Sequence, residues 1–250
     1  MSPHATWPEL PDATATDALA VVAHPDDESF GLGAVLSALS GAGVAVRALC
    51  LTHGEASTLG SPVNLAQVRA GELRAAAAVL GVCDVALLDY PDGGLADIPF
   101  DALDAEIEER LGEADLLVVF EPGGVTGHPY HHAATGAATR VAARHGVSVL
   151  EWGVPPDVAR TLNDELATAF VAAEGSDVEV DRSAQLDAIR CHASQAHDNP
   201  VLRRRLALQG SRERLRLVDA SAAGPAVTVP RSKGTFAPTP LGMAGRSVES

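Results

Sequence analysis

The apolar positions of this chain fall into short unbroken runs, each followed by a polar loop and then a stretch of helical character. Ala18 to Ala23 (ALAVVA) is continuously apolar, the pattern of a strand covered on both faces in a parallel sheet. A polar loop follows, His24 to Phe30, and then GLGAVLSALSGAG, which stops at glycines as a helix does. The unit recurs. VAVRALCLT (Val44 to Thr52) runs through a loop into LAQVRAGELRAAAAVLG. DVALLDY (Asp84 to Tyr90) runs through PDGGLADIPF into DALDAEIEERL, and ADLLVVF (Ala114 to Phe120) through EPGGVTGHPYH into HAATGAATRVAARHG. Strands alternating with helices at this spacing predict an α/β fold with a mostly parallel sheet. Its sites are expected in the loops beyond the strand ends.

Past Gly146 the pattern is thinner. VSVLEWGV and SDVEV read as later strands and AQLDAIRCHASQ as one helix. Arg203, Arg204, Arg205, Arg212, Arg214 and Arg216 are the only basic concentration and read as the solvated face of a helix, with contact to an anionic substrate as the alternative. From Ser221 the composition turns to Ala, Gly, Pro, Ser and Thr, so one domain over 1–220 and a loosely held, partly disordered tail over 221–250 are expected.

Composition narrows the function. Of 250 residues, 46% are hydrophobic and 20% charged, ordinary globular usage, but only 4% are aromatic. The core must be built from Ala, Val and Leu, and successive base stacking on aromatic platforms is not expected. The net charge of −15 repels phosphate backbones and anionic lipid, so no nucleic-acid partner is expected. No apolar run approaches the ~20 residues that span a bilayer, and Met1 to Asp17 shows no secretory pattern. No membrane insertion is therefore expected. Three widely spaced cysteines, Cys50, Cys83 and Cys191, with no CxxC, fit a reducing, cytoplasmic setting.

Two clusters carry candidate chemistry. His24-Pro25-Asp26-Asp27-Glu28 follows a buried strand, where a His and a carboxylate three residues apart can turn toward one cation. The alternative is three acids favouring the positive end of a helix dipole. Gly127-His128-Pro129-Tyr130-His131-His132 also lies between a buried strand and a helix. At the same edge of one parallel sheet the two clusters can converge, and two imidazoles with one carboxylate leave a fourth position for water, as in catalytic rather than structural zinc sites. Spacing does not choose between Asp26 and Asp27 as ligand. A metal phosphoesterase and a non-catalytic sugar- or nucleotide-binding module stay open at this point. Gly31 and Gly33 form only an incomplete dinucleotide-loop pattern.

AHPDDE and, about a hundred residues later, GHPYHH, with LTHGEAS, VRAGEL and PDGG between them and a weaker echo in HASQ (His192 to Gln195), resemble the PIG-L/LmbE-like family of metal-dependent N-deacetylases. The resemblance implies a Rossmann-like three-layer fold, Zn2+ or another divalent ion, and removal of an acyl group from an N-acyl amino sugar or glycoconjugate. It also implies His24, Asp27 and His131 as metal ligands, Asp26 as general base and His128 as stabiliser of the oxyanion. Arg69 and Asp92 become substrate contacts, although Arg69 is also spaced for a helical ion pair with Glu72, and turn chemistry alone explains an Asp-Gly. Thr52, His53 and Glu55 are weaker candidates for the pocket wall, and His132 reads as a surface residue or one packed behind the ligands. Homo-oligomerisation is compatible with all of this. The family's second motif reads GHPDH, and Tyr130 stands here in place of its aspartate, which weakens the case for His128 as an imidazolium.

Overall fold

In the computed structural model, which describes residues 15–56 and 64–219, the four clearest apolar runs are strands β1 (Asp17–Val22), β2 (Ala45–Thr52), β3 (Asp84–Tyr90) and β4 (Leu116–Phe120). With β5 (Ser148–Gly153), β6 (Ser176–Glu179) and β7 (Arg212–Val218) they form one seven-stranded sheet in the order β3-β2-β1-β4-β5-β7-β6. The first five are parallel, and β7 runs antiparallel to both β5 and β6.

The continuous apolar run of β1 has a direct structural reason. Ala18, Ala20 and Val22 point to one core, Leu19 and Val21 to another, because successive side chains alternate across a sheet. Each face is covered by helices. On the first lie α1 (Asp27–Phe30), α2 (Gly33–Gly41) and α3 (Leu65–Leu80), and on the second α4 (Phe100–Leu111). After a distorted turn, α5 (Gly124–Gly127), α6 (Pro129–His145) joins α4 through Ala133, Ala134, Ala137, Ala138, Val141 and Ala142, small side chains that seat the helix close to the strands. The first face also receives α7 (Pro156–Leu166) and α8 (Ser183–Cys191). This is the expected three-layer, Rossmann-like arrangement.

Three readings of the C-terminal third change. The helix expected over 184–195 is broken: α8 ends at Cys191, His192 takes φ −86°, ψ 54°, and a short α9 (Ala193–Ala196) follows. The six arginines do not share one helix. Arg203, Arg204 and Arg205 are on α10 (Pro200–Gln209), whereas Arg212, Arg214 and Arg216 alternate along β7 and pair with acids including Asp157, Asp177 and Glu151. Nor are all solvated. Arg205 is buried over the ring of Trp152 and donates to the Phe30 carbonyl, and burial lowers its pKa to about 10. Beside it Glu213 takes the Trp152 indole N–H at 2.6 Å and pairs with Arg182, so the polar groups brought in by β7 are bonded, as burial demands. The expected tail at 221–250 lies outside the described residues. Among the described residues no helix is long and apolar enough to cross a membrane.

Candidate metal centre

β1 and β4 are neighbours, but the chain leaves them toward opposite edges of the sheet, β2 and β3 on one side and β5 on the other. A crevice opens at their carboxyl ends where the order reverses. The loop after β1 and the loop after β4 line it. Gly31 and Gly33 serve packing there: a Cβ on Gly31 would come within 2.3 Å of the Phe120 ring, and one on Gly33 within 2.9 Å of Gln185. That close approach accounts for the glycines without a dinucleotide.

In the first loop the Asp27 carboxylate turns back on its own chain. Its Oδ2 accepts the N–H of His24 at 2.9 Å and of Ala23 at 3.2 Å, which fixes the side chain and directs Oδ1 toward His131 Nε2, 3.2 Å away. In the second loop Val125 is held at φ 65°, unusual for a β-branched residue, by Glu121, whose Oε1 accepts the Val125 N–H at 2.6 Å. The same turn presents the Gly124 carbonyl 3.1 Å from His131 Nδ1. Donation from Nδ1 leaves the Nε2 lone pair facing Asp27, the outer-shell arrangement of a metal-binding imidazole.

His24, Asp27 and His131 each offer a ligating atom, and these atoms lie within 4.8 Å of one another. The electrostatics suit a cation. Burial works against a charged His24 ring, yet hydrogen bonds to Asp27 and Asp92 and the charges of Asp27 and Asp26 raise its pKa to about 10. Burial likewise opposes ionisation of Asp27, but the flanking His131 and His24 hold its carboxyl well below the usual range. A field that draws a proton onto His24 favours a divalent ion in the same place, and the two compete. Two imidazoles and one ionised carboxylate are a fitting donor set for zinc with an open position.

Asp26 stands beside this cluster at φ 141°, with its Oδ2 3.0 Å from Arg69 Nη2. Burial pushes its carboxyl up to about 7, against the opposing charge of Arg69. Arg69 does not face an open pocket. It is 3% exposed, and its remaining bonds run to the carbonyls of Gly54 (2.6 Å) and Pro25 (2.5 Å), so it braces two loops. Nor does it pair with Glu72, which instead accepts from the N–H and hydroxyl of Ser194. Asp92 is also differently occupied: Oδ1 lies 3.5 Å from His24 Nε2 and Oδ2 accepts the Ala56 N–H at 2.8 Å. Thr52 ties the end of β2 to the Ala23 carbonyl, His53 meets Asp89, and Glu55 accepts the Asp92 N–H. His132 is exposed.

His128 caps α6, its Nδ1 accepting the Tyr130 N–H at 3.3 Å. Burial, reinforced by His131 and His24, lowers its pKa to about 4, so the ring is neutral at pH 7 with its proton on Nε2. The Tyr130 ring stands 5.0 Å from it, where it supplies contact but no charge. Replacing Tyr130 by Asp is expected to raise the His128 pKa, by up to about one unit if the carboxylate reaches the ring. Titrating the His128 imidazole resonance by NMR in both proteins checks this. Superimposable curves would remove Tyr130 from the tuning of His128.

Sequence reasoning gave no place in the site to two residues behind it, Glu28 and His192, both fully buried, with Glu28 Oε1 2.6 Å from His192 Nε2. The signals were the last position of AHPDDE for Glu28 and the HASQ echo for His192.

The family model for GlcNAc-PI de-N-acetylase (PIG-L) matches residues 19–143, half of the chain. The chain belongs to the PIG-L family. That match takes in all seven site residues expected from the sequence. A 1D-myo-inositol 2-acetamido-2-deoxy-alpha-D-glucopyranoside deacetylase of Kineococcus radiotolerans is 34% identical to this PIG-L protein over 179 residues, covering 57% of this chain and 50% of the relative. The chain spans about half the length of the first curated relatives it matches. Among solved structures, N,N'-diacetylchitobiose deacetylase from Pyrococcus horikoshii aligns with TM-score 0.61 at 22% identity over 84% of this chain and 86% of that one. A 4-carboxy-2-hydroxymuconate hydratase from Pseudomonas putida KT2440 aligns with TM-score 0.60 at 17% identity over 87% of this chain and 100% of that one. The fold of this PIG-L chain is thus shared by a deacetylase and by a hydratase, and function has to be argued from the site.

Proposed function

We propose that this PIG-L protein is a zinc-dependent hydrolase that removes an acyl group, acetyl foremost, from the amine of an N-acyl amino sugar or glycoconjugate. The observation that carries this reading is a largely buried carboxylate, Asp26, its side chain still 17% exposed, standing beside the His24, Asp27 and His131 cluster. A divalent ion held by those three residues would supply Lewis acidity toward the acyl carbonyl and toward an attacking water.

The protein's own groups do the rest. Asp26 takes the proton of the water and returns it to the leaving amine, two tasks that a group poised near pH 7 performs in turn. Arg69 fixes that carboxylate through Oδ2, and Asp92 orients the His24 ring through Nε2. In this reading both hold site residues in place, in preference to the substrate contacts that the resemblance implied. His128, with Nδ1 engaged as a cap, offers Nε2–H to the developing oxyanion as a neutral donor. A cytoplasmic setting is supported by three free thiols.

The two deacetylases named above take their names from acetylated amino sugars as different as a 1D-myo-inositol glycoside and N,N'-diacetylchitobiose. Zinc-loaded protein incubated with such compounds, N-acylated thiol conjugates and glycopeptides is expected to release carboxylate and free amine in equal amounts. Phosphate release from phosphomonoesters without carboxylate release would replace this reading with a phosphoesterase. Sugar binding without turnover would replace it with a binding module.

A further inference from the structure

The buried pair behind the reactive loop has no part in the chemistry above. Glu28 and His192 are 164 residues apart in sequence and both 0% exposed. Glu28 Oε1 meets His192 Nε2 at 2.6 Å and also takes the Ser29 hydroxyl at 2.6 Å. Its other oxygen, Oε2, accepts the backbone N–H of Asp26 at 3.0 Å. Asp26 is the residue with φ 141° and ψ −27°, a conformation that a side chain disfavours and that persists only where surrounding bonds over-determine it. The Glu28 bond is one such constraint and the Arg69 bond to Oδ2 is another.

We propose that His192 is a positioning residue: by fixing the Glu28 carboxylate it holds the Asp26 N–H, and so keeps Asp26 in the strained conformation that sets its carboxylate beside the His24, Asp27 and His131 cluster. The functional part of this inference rests on the reading of Asp26 as the proton acceptor. Placement of His192 supports the role. It sits at the break between α8 and α9, its ring packs edge-on to Phe30 at 5.8 Å, and Nδ1 has no partner among the described residues, so its side-chain hydrogen bonding goes to Glu28. Two residues on, Ser194 is bonded to Glu72 of α3 through its N–H (2.9 Å) and hydroxyl (2.6 Å). Gln185 of α8 donates to the Ser29 carbonyl at 3.0 Å. The α8–α9 corner is thus bolted to α1 and α3 on both sides of the imidazole. A buried carboxylate without such a partner is costly in the ionised form and is released to other geometries.

The test compares His192→Leu, which deletes the donor, with His192→Gln, whose amide nitrogen reaches the position of imidazole Nε2. Four quantities are read: amide hydrogen exchange in the segment holding Asp26, kcat, KM and metal content. His192→Leu is expected to speed exchange at Asp26 by on the order of tenfold and to lower kcat by roughly 10- to 100-fold, with KM and metal content little changed, because a small misplacement of a reacting group costs rate rather than binding. His192→Gln is expected to restore both to within about threefold of wild type. Unchanged exchange at Asp26 in His192→Leu overturns the proposal, as do equal losses in Leu and Gln, which would mark ring volume as the cause. If His192→Leu does not fold, His192→Asn, too short to reach Glu28, takes its place against Gln with the same outcomes. Wild-type protein inactive on every acylated amino sugar would overturn the functional reading, while the exchange arm would still decide whether His192 holds Asp26.

Discussion

Asp26→Asn is expected to leave metal content near the wild-type level and to lower kcat by roughly 10²-fold or more, the usual scale for losing a general base. The substitution is nearly isosteric, and its amide oxygen can still accept from Arg69 Nη2, so the loop should keep its geometry. The pH profile gives a sharper test. A base works only when deprotonated, and burial pushes the Asp26 carboxyl up to about 7, so wild-type activity should fall as pH drops through that value. In Asp26→Asn that acid limb should vanish. Loss of metal from Asp26→Asn, with metal retained by Asp27→Asn, would show that the two aspartates have exchanged roles.

His24→Ala is expected to strip the metal and abolish activity, because it leaves one imidazole and one carboxylate where three ligands converge. The contrast with Asp92→Asn gives the magnitude its meaning. Asp92 meets His24 only through the far ring nitrogen at 3.5 Å, and removing such an outer partner typically costs about 10- to 100-fold in metal affinity. The loss in His24→Ala should exceed that range, as measured by metal analysis after dialysis against a graded chelator. Full occupancy and activity in His24→Ala would sink the ligand assignment. Affinity in the wild type should weaken as pH falls, since the field that raises His24 to about 10 makes the proton a strong competitor.

Much of the parallel sheet was legible because β1 and β4 are buried on both faces and therefore written as unbroken apolar runs. β7 was not. Its sequence, RERLRLV, buries Glu213 and Leu215 on one side and lays Arg212, Arg214 and Arg216 against acids on the other. The period-two alternation of arginines was the available sign of a strand, but a buried glutamate does not look like core. The HPDDE and GHPYHH clusters announced that two loops could converge at one sheet edge, because both motifs follow buried strands, whereas Asp27 rather than Asp26 as ligand came from the family resemblance. What Arg69 and His192 touch was hidden. Their partners, Asp26 and Glu28, are 43 and 164 residues away, and a lone Arg or His carries no mark in the sequence of the direction it faces.

The strand order also sets a demand on biosynthesis. β1 finds β2 early, but its other neighbour, β4, follows nearly a hundred residues later, with Ala18 paired to Leu116. During translation at roughly 5–20 residues per second, one edge of this buried strand therefore waits for about 5–20 s without its final partner. An unpaired apolar edge is a template for association with other nascent chains. The same strand order that builds the crevice thus leaves newly started copies of this protein with that edge open until Phe120 has left the ribosome.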